Sequence, residues 1–125
     1  MSNKRLLVVD DDKGIRDSLK EALEFEGYDV TTAYDGKNAL DILTKLSKDR
    51  LPHLILLDLM MPVMDGPLFM INIETTYKNI LDMIPIFVLS ARGNLALPGH
   101  KAPAGVFRKP INLDTLLDEI QKLVK

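Results

Sequence analysis

The chain has 125 residues, 46% of them hydrophobic and 27% charged, with a formal net charge of -2 and no cysteine. That length can bury about two thirds of the unfolded surface in one core, so a single domain over residues 1–125 is expected. The small, mixed charge argues against a nucleic-acid surface or an anionic-membrane patch, and the missing cysteines exclude disulfide scaffolds, thiol nucleophiles and thiolate metal sites.

The first element is "LLVV", Leu6 to Val9, an aliphatic run that reads as a strand buried on both faces and ends abruptly in Asp10, Asp11 and Asp12. A helix follows, with Ile15, Leu19, Ala22, Leu23 and Phe25 at helical spacing and Gly27 as its C-terminal cap. "YDVTTAY" is a second strand, and a second helix opens at the capping residue Asp35, with Ala39, Leu40, Leu43 and Leu46 as its apolar stripe.

"PHLILLDLMMP" contains the third strand, ending at Asp58, and Gly66-Pro67 turns into a third helix around Leu68 to Tyr77. "IPIFVLSA" is the fourth strand and "AGVFRKP" a short fifth, before a final amphipathic helix that starts near Asn112. Between those two strands, Gly93, Pro98, Gly99 and Pro103 leave room for at most a turn or two of a fourth helix. Strands alternating with helices predict an α/β fold with a parallel sheet covered on both faces. No apolar run approaches membrane-spanning length and nothing resembles a secretory leader, so a cytoplasmic location is expected.

Polar residues stand at the carboxyl ends of four strands: Asp10 to Asp12, Asp58, Ser90 and Lys109. Ligands of open α/β sheets bind outside those ends, where strand order reverses. Periodicity does not give strand order, but in the doubly wound order 2-1-3-4-5 the reversal lies between the first and third strands, which supply the acids. Converging carboxylates repel one another unless a cation balances them. A hard divalent ion such as Mg²⁺ suits that donor set and also engages phosphate, while a lysine and a hydroxyl nearby can stabilise a phosphoryl group. The chemistry suggested is phosphoryl transfer with Asp58 as the nucleophile.

The motifs "LLVVDDD", "LLDLMMPVMDG", "VLSA" and "FRKP", in this order and at these separations, resemble the receiver domain of two-component response regulators, the CheY-like family. The resemblance runs from about Lys4 to the C-terminus. It implies a flavodoxin-like (βα)5 fold with strand order 2-1-3-4-5, here with a degenerate fourth helix. It also implies that Asp58 is the phosphoacceptor, that Asp10, Asp11, Asp58 and the backbone carbonyl of Met60 hold Mg²⁺ or Mn²⁺, and that Ser90 and Lys109 contact the phosphoryl group. Pro110 stands at the family's cis-peptide position. Such domains are not enzymes in the ordinary sense, since they catalyse only their own phosphorylation and dephosphorylation. The implied partners are a sensor histidine kinase or histidine phosphotransfer protein and a downstream protein, with the chain a monomer or weak dimer that contacts neither nucleic acid nor membrane.

Two features depart from the pattern, the interrupted fourth-helix segment between Ser90 and Lys109 and the residue at position 106. Val106 stands where the family places the Tyr or Phe that switches rotamer, and the neighbouring Phe107 should point to the opposite face unless a bulge re-aims it. Met60 and Arg92 occupy positions that tune dephosphorylation in the family. The alternative function is therefore a pseudo-receiver, a protein-binding scaffold with weak or no switching. A small-molecule phosphohydrolase is disfavoured because Met60 stands where such enzymes carry a second acid. Asp12 reads as a first-turn helix acid, His53 and His100 as surface or loop residues, and the methionines as filler.

Overall fold

The computed structural model describes residues 4–58, 84–90 and 104–124. They form five strands, β1 (Arg5–Val9), β2 (Asp29–Ala33), β3 (Leu54–Asp58), β4 (Ile86–Ser90) and β5 (Gly105–Arg108), with helices α1 (Lys13–Phe25), α2 (Gly36–Lys45) and α3 (Leu113–Leu123). All four strand pairings are parallel and the order is β2-β1-β3-β4-β5, so the strand order reverses between β1 and β3 as expected. The third helix expected around Leu68 to Tyr77 and the interrupted stretch before β5 lie outside the described residues.

Period-two alternation divides the apolar residues of the sheet between two cores. Leu7, Val9, Ile55, Leu57 and Val88 pack with Ala39 and Leu43 of α2. Leu6, Val8, Leu56, Phe87 and Leu89 pack on the other face with Leu19 and Leu23 of α1 and Leu116 and Ile120 of α3. Every residue of β3 is buried, because a central parallel strand is covered on both sides.

Local chemistry sets where the helices begin and end. The side chains of Asp12, Asp35 and Asn112 accept the backbone N–H of Ile15, Asn38 and Thr115 respectively, each satisfying one of the donors a helix start leaves unpaired. Helix α1 stops where Gly27 takes a φ of 95°. There the N–H of Tyr28 donates to Leu23 O and that of Gly27 to Glu24 O, the paired bonds of a Schellman motif. Phe25, counted in the apolar stripe of this helix, is instead 89% exposed. It follows Leu23 by two positions, which turns it about 200° around the axis, away from the sheet.

Strand β5 pairs with β4 without interruption, Val88 opposite Val106 and Leu89 opposite Phe107. No bulge re-aims Phe107. Its ring packs against the α1/α3 core and lies 5.0 Å from that of Phe87, while Val106 is 45% exposed on the other face.

Candidate functional site

The C-terminal ends of β1 and β3 are neighbours, since Val9 pairs with Leu57, and the acids that follow them meet at the reversal point. One carboxylate oxygen from each of Asp10, Asp11 and Asp58 lies within 4.8 Å of the others. Asp10 is fully buried and Asp58 is 4% exposed, whereas Asp11 faces solvent. Lys109, just past β5, extends its ammonium to 3.2 Å from Asp10 Oδ2 and 3.4 Å from Asp58 Oδ1. The Lys109-Pro110 peptide bond is cis.

Burial acts most strongly on the Lys109 ammonium and lowers its pKa, but the fields of Asp10 and then Asp58, with their hydrogen bonds, more than reverse this. The net shift is upward, so the lysine stays charged. Among the described residues one ammonium faces three carboxyl groups, an environment suited to a further cation.

The loop carrying the acids is fixed at both ends. Asp10 N–H donates to Ala33 O, its Oδ1 accepts the N–H of Asp12 at 2.9 Å, and its carbonyl accepts Nη1 of Arg16 at 3.0 Å. Asp12 caps α1 through Ile15 and does not belong to the acid cluster, in line with its reading as a helix-start residue. The structure therefore divides the three consecutive acids into two cluster members and one cap.

Beside the acids opens a cleft of about 510 Å³ between α1 and the segment leading into α3, lined by Ile15, Leu19, Pro110, Ile111 and Leu113, with Lys109 and Asp12 also on its wall. Ser90 ends β4 opposite Arg108, which places its backbone at the same edge of the sheet. Met60 and Arg92 lie outside the described residues.

Two polar arrangements had no signal in the sequence. Arg16 is one helical arginine among many surface charges until its contact with the Asp10 carbonyl is seen. His53 is half-buried at the opposite end of the sheet, where its Nδ1 accepts the N–H of Arg5 at 2.9 Å and its own N–H donates to Arg5 O at 2.7 Å. The Arg5 side chain continues the bracket by donating to Leu51 O and Asp49 O. His53 thus lies in the loop before β3, as expected, and has a structural partner there in Arg5.

Fold and site together define a doubly wound parallel α/β domain with a lysine-bridged carboxylate cluster at its reversal point. Residues 6–121 match the response regulator receiver domain family, and the chain belongs to that family. It is 38% identical over 124 residues to response regulator MprA of Mycolicibacterium vanbaalenii and equally to MprA of Mycobacterium tuberculosis, covering 97% of this chain and 50% of each relative. The chain spans about half the length of the curated relatives it matches. Among solved structures, chemotaxis protein CheY4 of Vibrio cholerae superposes with a TM-score of 0.81 at 29% identity, covering 98% of this chain and 100% of that one. Response regulator TrrA of Thermotoga maritima, in complex with Mg(2+)-BeF, gives 0.78 at 32% identity, covering 97% and 99%.

Proposed function

We propose that this receiver domain takes a phosphoryl group onto Asp58 from the phosphohistidine of a sensor histidine kinase or histidine phosphotransfer protein, with Mg²⁺ or Mn²⁺ at Asp10, Asp11 and Asp58, and passes the change to a downstream protein. The observation that carries this reading is the meeting of three carboxylates and the Lys109 ammonium at the sheet's reversal point. An all-oxygen donor set of this charge fits a hard divalent cation, and the carbonyl of Met60 is proposed to complete it. When bound, the cation supplies positive charge to the phosphoryl oxygens.

In the transfer, a carboxylate oxygen of Asp58 forms a bond to phosphorus while the bond from phosphorus to the imidazole nitrogen breaks. The departing nitrogen takes a proton from solvent. Lys109 and the Ser90 hydroxyl are the proposed partners of the phosphoryl oxygens. In the later hydrolysis, water attacks phosphorus and gives up a proton to solvent, the bond from phosphorus to the Asp58 oxygen breaks, inorganic phosphate leaves and the carboxylate returns. The cleft beside Lys109 supports approach of a donor from the α1 side.

The test is incubation with a small phosphodonor and Mg²⁺, read by mass spectrometry. An acid-stable, base-labile adduct that is lost in Asp58→Asn is expected; no adduct with any donor overturns the reading.

A second reading, a pseudo-receiver scaffold, draws support from β5, where Val106 is exposed and Phe107 is committed to the helical face. Amide exchange with and without beryllofluoride separates the two. Changed protection around β5 and α3 supports the switch, and unchanged protection in the saturated protein supports the scaffold.

A further inference from the structure

We propose that Arg16 is a positioning residue for the cation, acting by locking the acidic loop so that Asp11 is presented correctly. The proposal rests on the cation reading of the Asp10, Asp11 and Asp58 cluster. Arg16 holds the loop twice: its Nη1 donates to Asp10 O at 3.0 Å, and its backbone N–H donates to Asp12 O at 2.9 Å. Those two carbonyls flank Asp11.

Each neighbour of Asp11 is also fixed by other bonds. Asp10 is held through its N–H by Ala33 O and through its carboxylate by Asp12 N–H and Lys109. The Asp12 side chain is held by Ile15 N–H. The Asp11 carboxylate makes no hydrogen bond or ion pair among the described residues and faces solvent. Its direction is therefore set by the backbone on either side, and of the bonds that set it the Arg16 side-chain contact can be removed without touching an acid, the helix cap or Lys109.

Losing this contact lets the Asp10-Asp11 peptide rotate, so the Asp11 oxygen must be ordered at the moment the cation binds. Residues that orient metal ligands from outside the coordination sphere typically change affinity by about 10–100-fold. A purely electrostatic role predicts the opposite sign, because removing a positive charge near the site should favour a divalent cation.

The experiment is titration of the full chain with Mn²⁺ alone, read by water-proton relaxation, for wild type, Arg16→Gln, Arg16→Lys and Asp11→Asn, with a thermal melt of each cation-free protein. Arg16→Gln is expected to weaken Mn²⁺ binding about tenfold, and Arg16→Lys, which keeps a single donor and the charge, to fall between it and wild type. Unchanged or tighter binding in Arg16→Gln overturns the proposal, as does a lowered melting midpoint with unchanged affinity. Should Arg16→Gln not fold, Arg16→Lys decides, since wild-type affinity there overturns the lock. If wild type binds no Mn²⁺, or Asp11→Asn binds it equally well, the cation reading falls and the proposal with it.

Discussion

Lys109 and Asp10, 99 residues apart in the chain, meet at 3.2 Å across two intervening strands, β3 and β4. The long aliphatic stem of the lysine spans the distance, and its ammonium reaches Asp58 from the same position. One cation thereby bridges the two buried acids of the cluster, leaving the exposed Asp11 as the acid it does not touch.

This arrangement predicts that Asp58→Asn stabilises the cation-free protein. Among the described residues, neutralising Asp58 relieves the repulsion of Asp10 and Asp11 and gives up the attraction of Lys109. A unit-charge pair at 4 Å is worth about 4 kcal/mol at an effective dielectric of about 20. Solvent screens the share due to exposed Asp11, so a net gain of about 1–2 kcal/mol is expected. Urea unfolding without divalent ions measures it, and a loss of stability would contradict the charge balance described.

Mg²⁺ should raise the melting temperature of wild type far more than that of Asp11→Asn. A ligand that binds only the folded state at 100 times its dissociation constant contributes about 2.7 kcal/mol. Replacing Asp11 also relieves repulsion within the cluster, so the Mg²⁺ shift of each protein is read against its own cation-free midpoint. Equal Mg²⁺ shifts in the two proteins would place the cation elsewhere.

At the far end of the sheet, His53 should make stability depend on pH. Burial lowers its pKa below the ordinary 6.5, and the Arg5 and Lys4 charges add to this, outweighing an opposing interaction with the Arg5 backbone. Below pH 6.5 the unfolded chain takes up the proton first. Stability is therefore full above 6.5 and falls as pH drops toward the lower folded value. His53→Gln, whose side-chain carbonyl can accept the Arg5 N–H without titrating, should flatten urea midpoints measured across that window.

Gly105→Ala should destabilise. An added Cβ would lie 3.1 Å from the Phe107 ring and 3.2 Å from that of Phe87, and those rings already pack against each other. Overpacking of this kind costs about 1–3 kcal/mol, while replacing glycine in a strand returns about 0.5–1 kcal/mol. A net loss of about 1 kcal/mol is expected, recovered in Gly105→Ala combined with Phe107→Leu. A stabilised single variant would show that the rings move aside freely.

Strand and helix positions were legible before any coordinates because they depend on local pattern. The buried runs at Leu6 to Val9 and Leu54 to Leu57, the caps at Asp12, Asp35 and Asn112, and the glycine stop at Gly27 each follow from the chemistry of a few consecutive residues. The place of Asp12 at the helix start was legible for the same reason, whereas the pairing of Asp10 with Asp11 came from the resemblance to the receiver family.

Tertiary packing decided what depends on residues far apart in the chain. No spacing rule marks Arg16 as the partner of a carbonyl six residues back, or Arg5 and His53 as one bracket. Each depends on which way a strand or helix face turns once the sheet has assembled. The commitment of Phe107 to the helical face has the same origin. Alternation alone says that Val106 and Phe107 point apart, but the unbroken β4–β5 register and the contact with Phe87 select the face that each occupies.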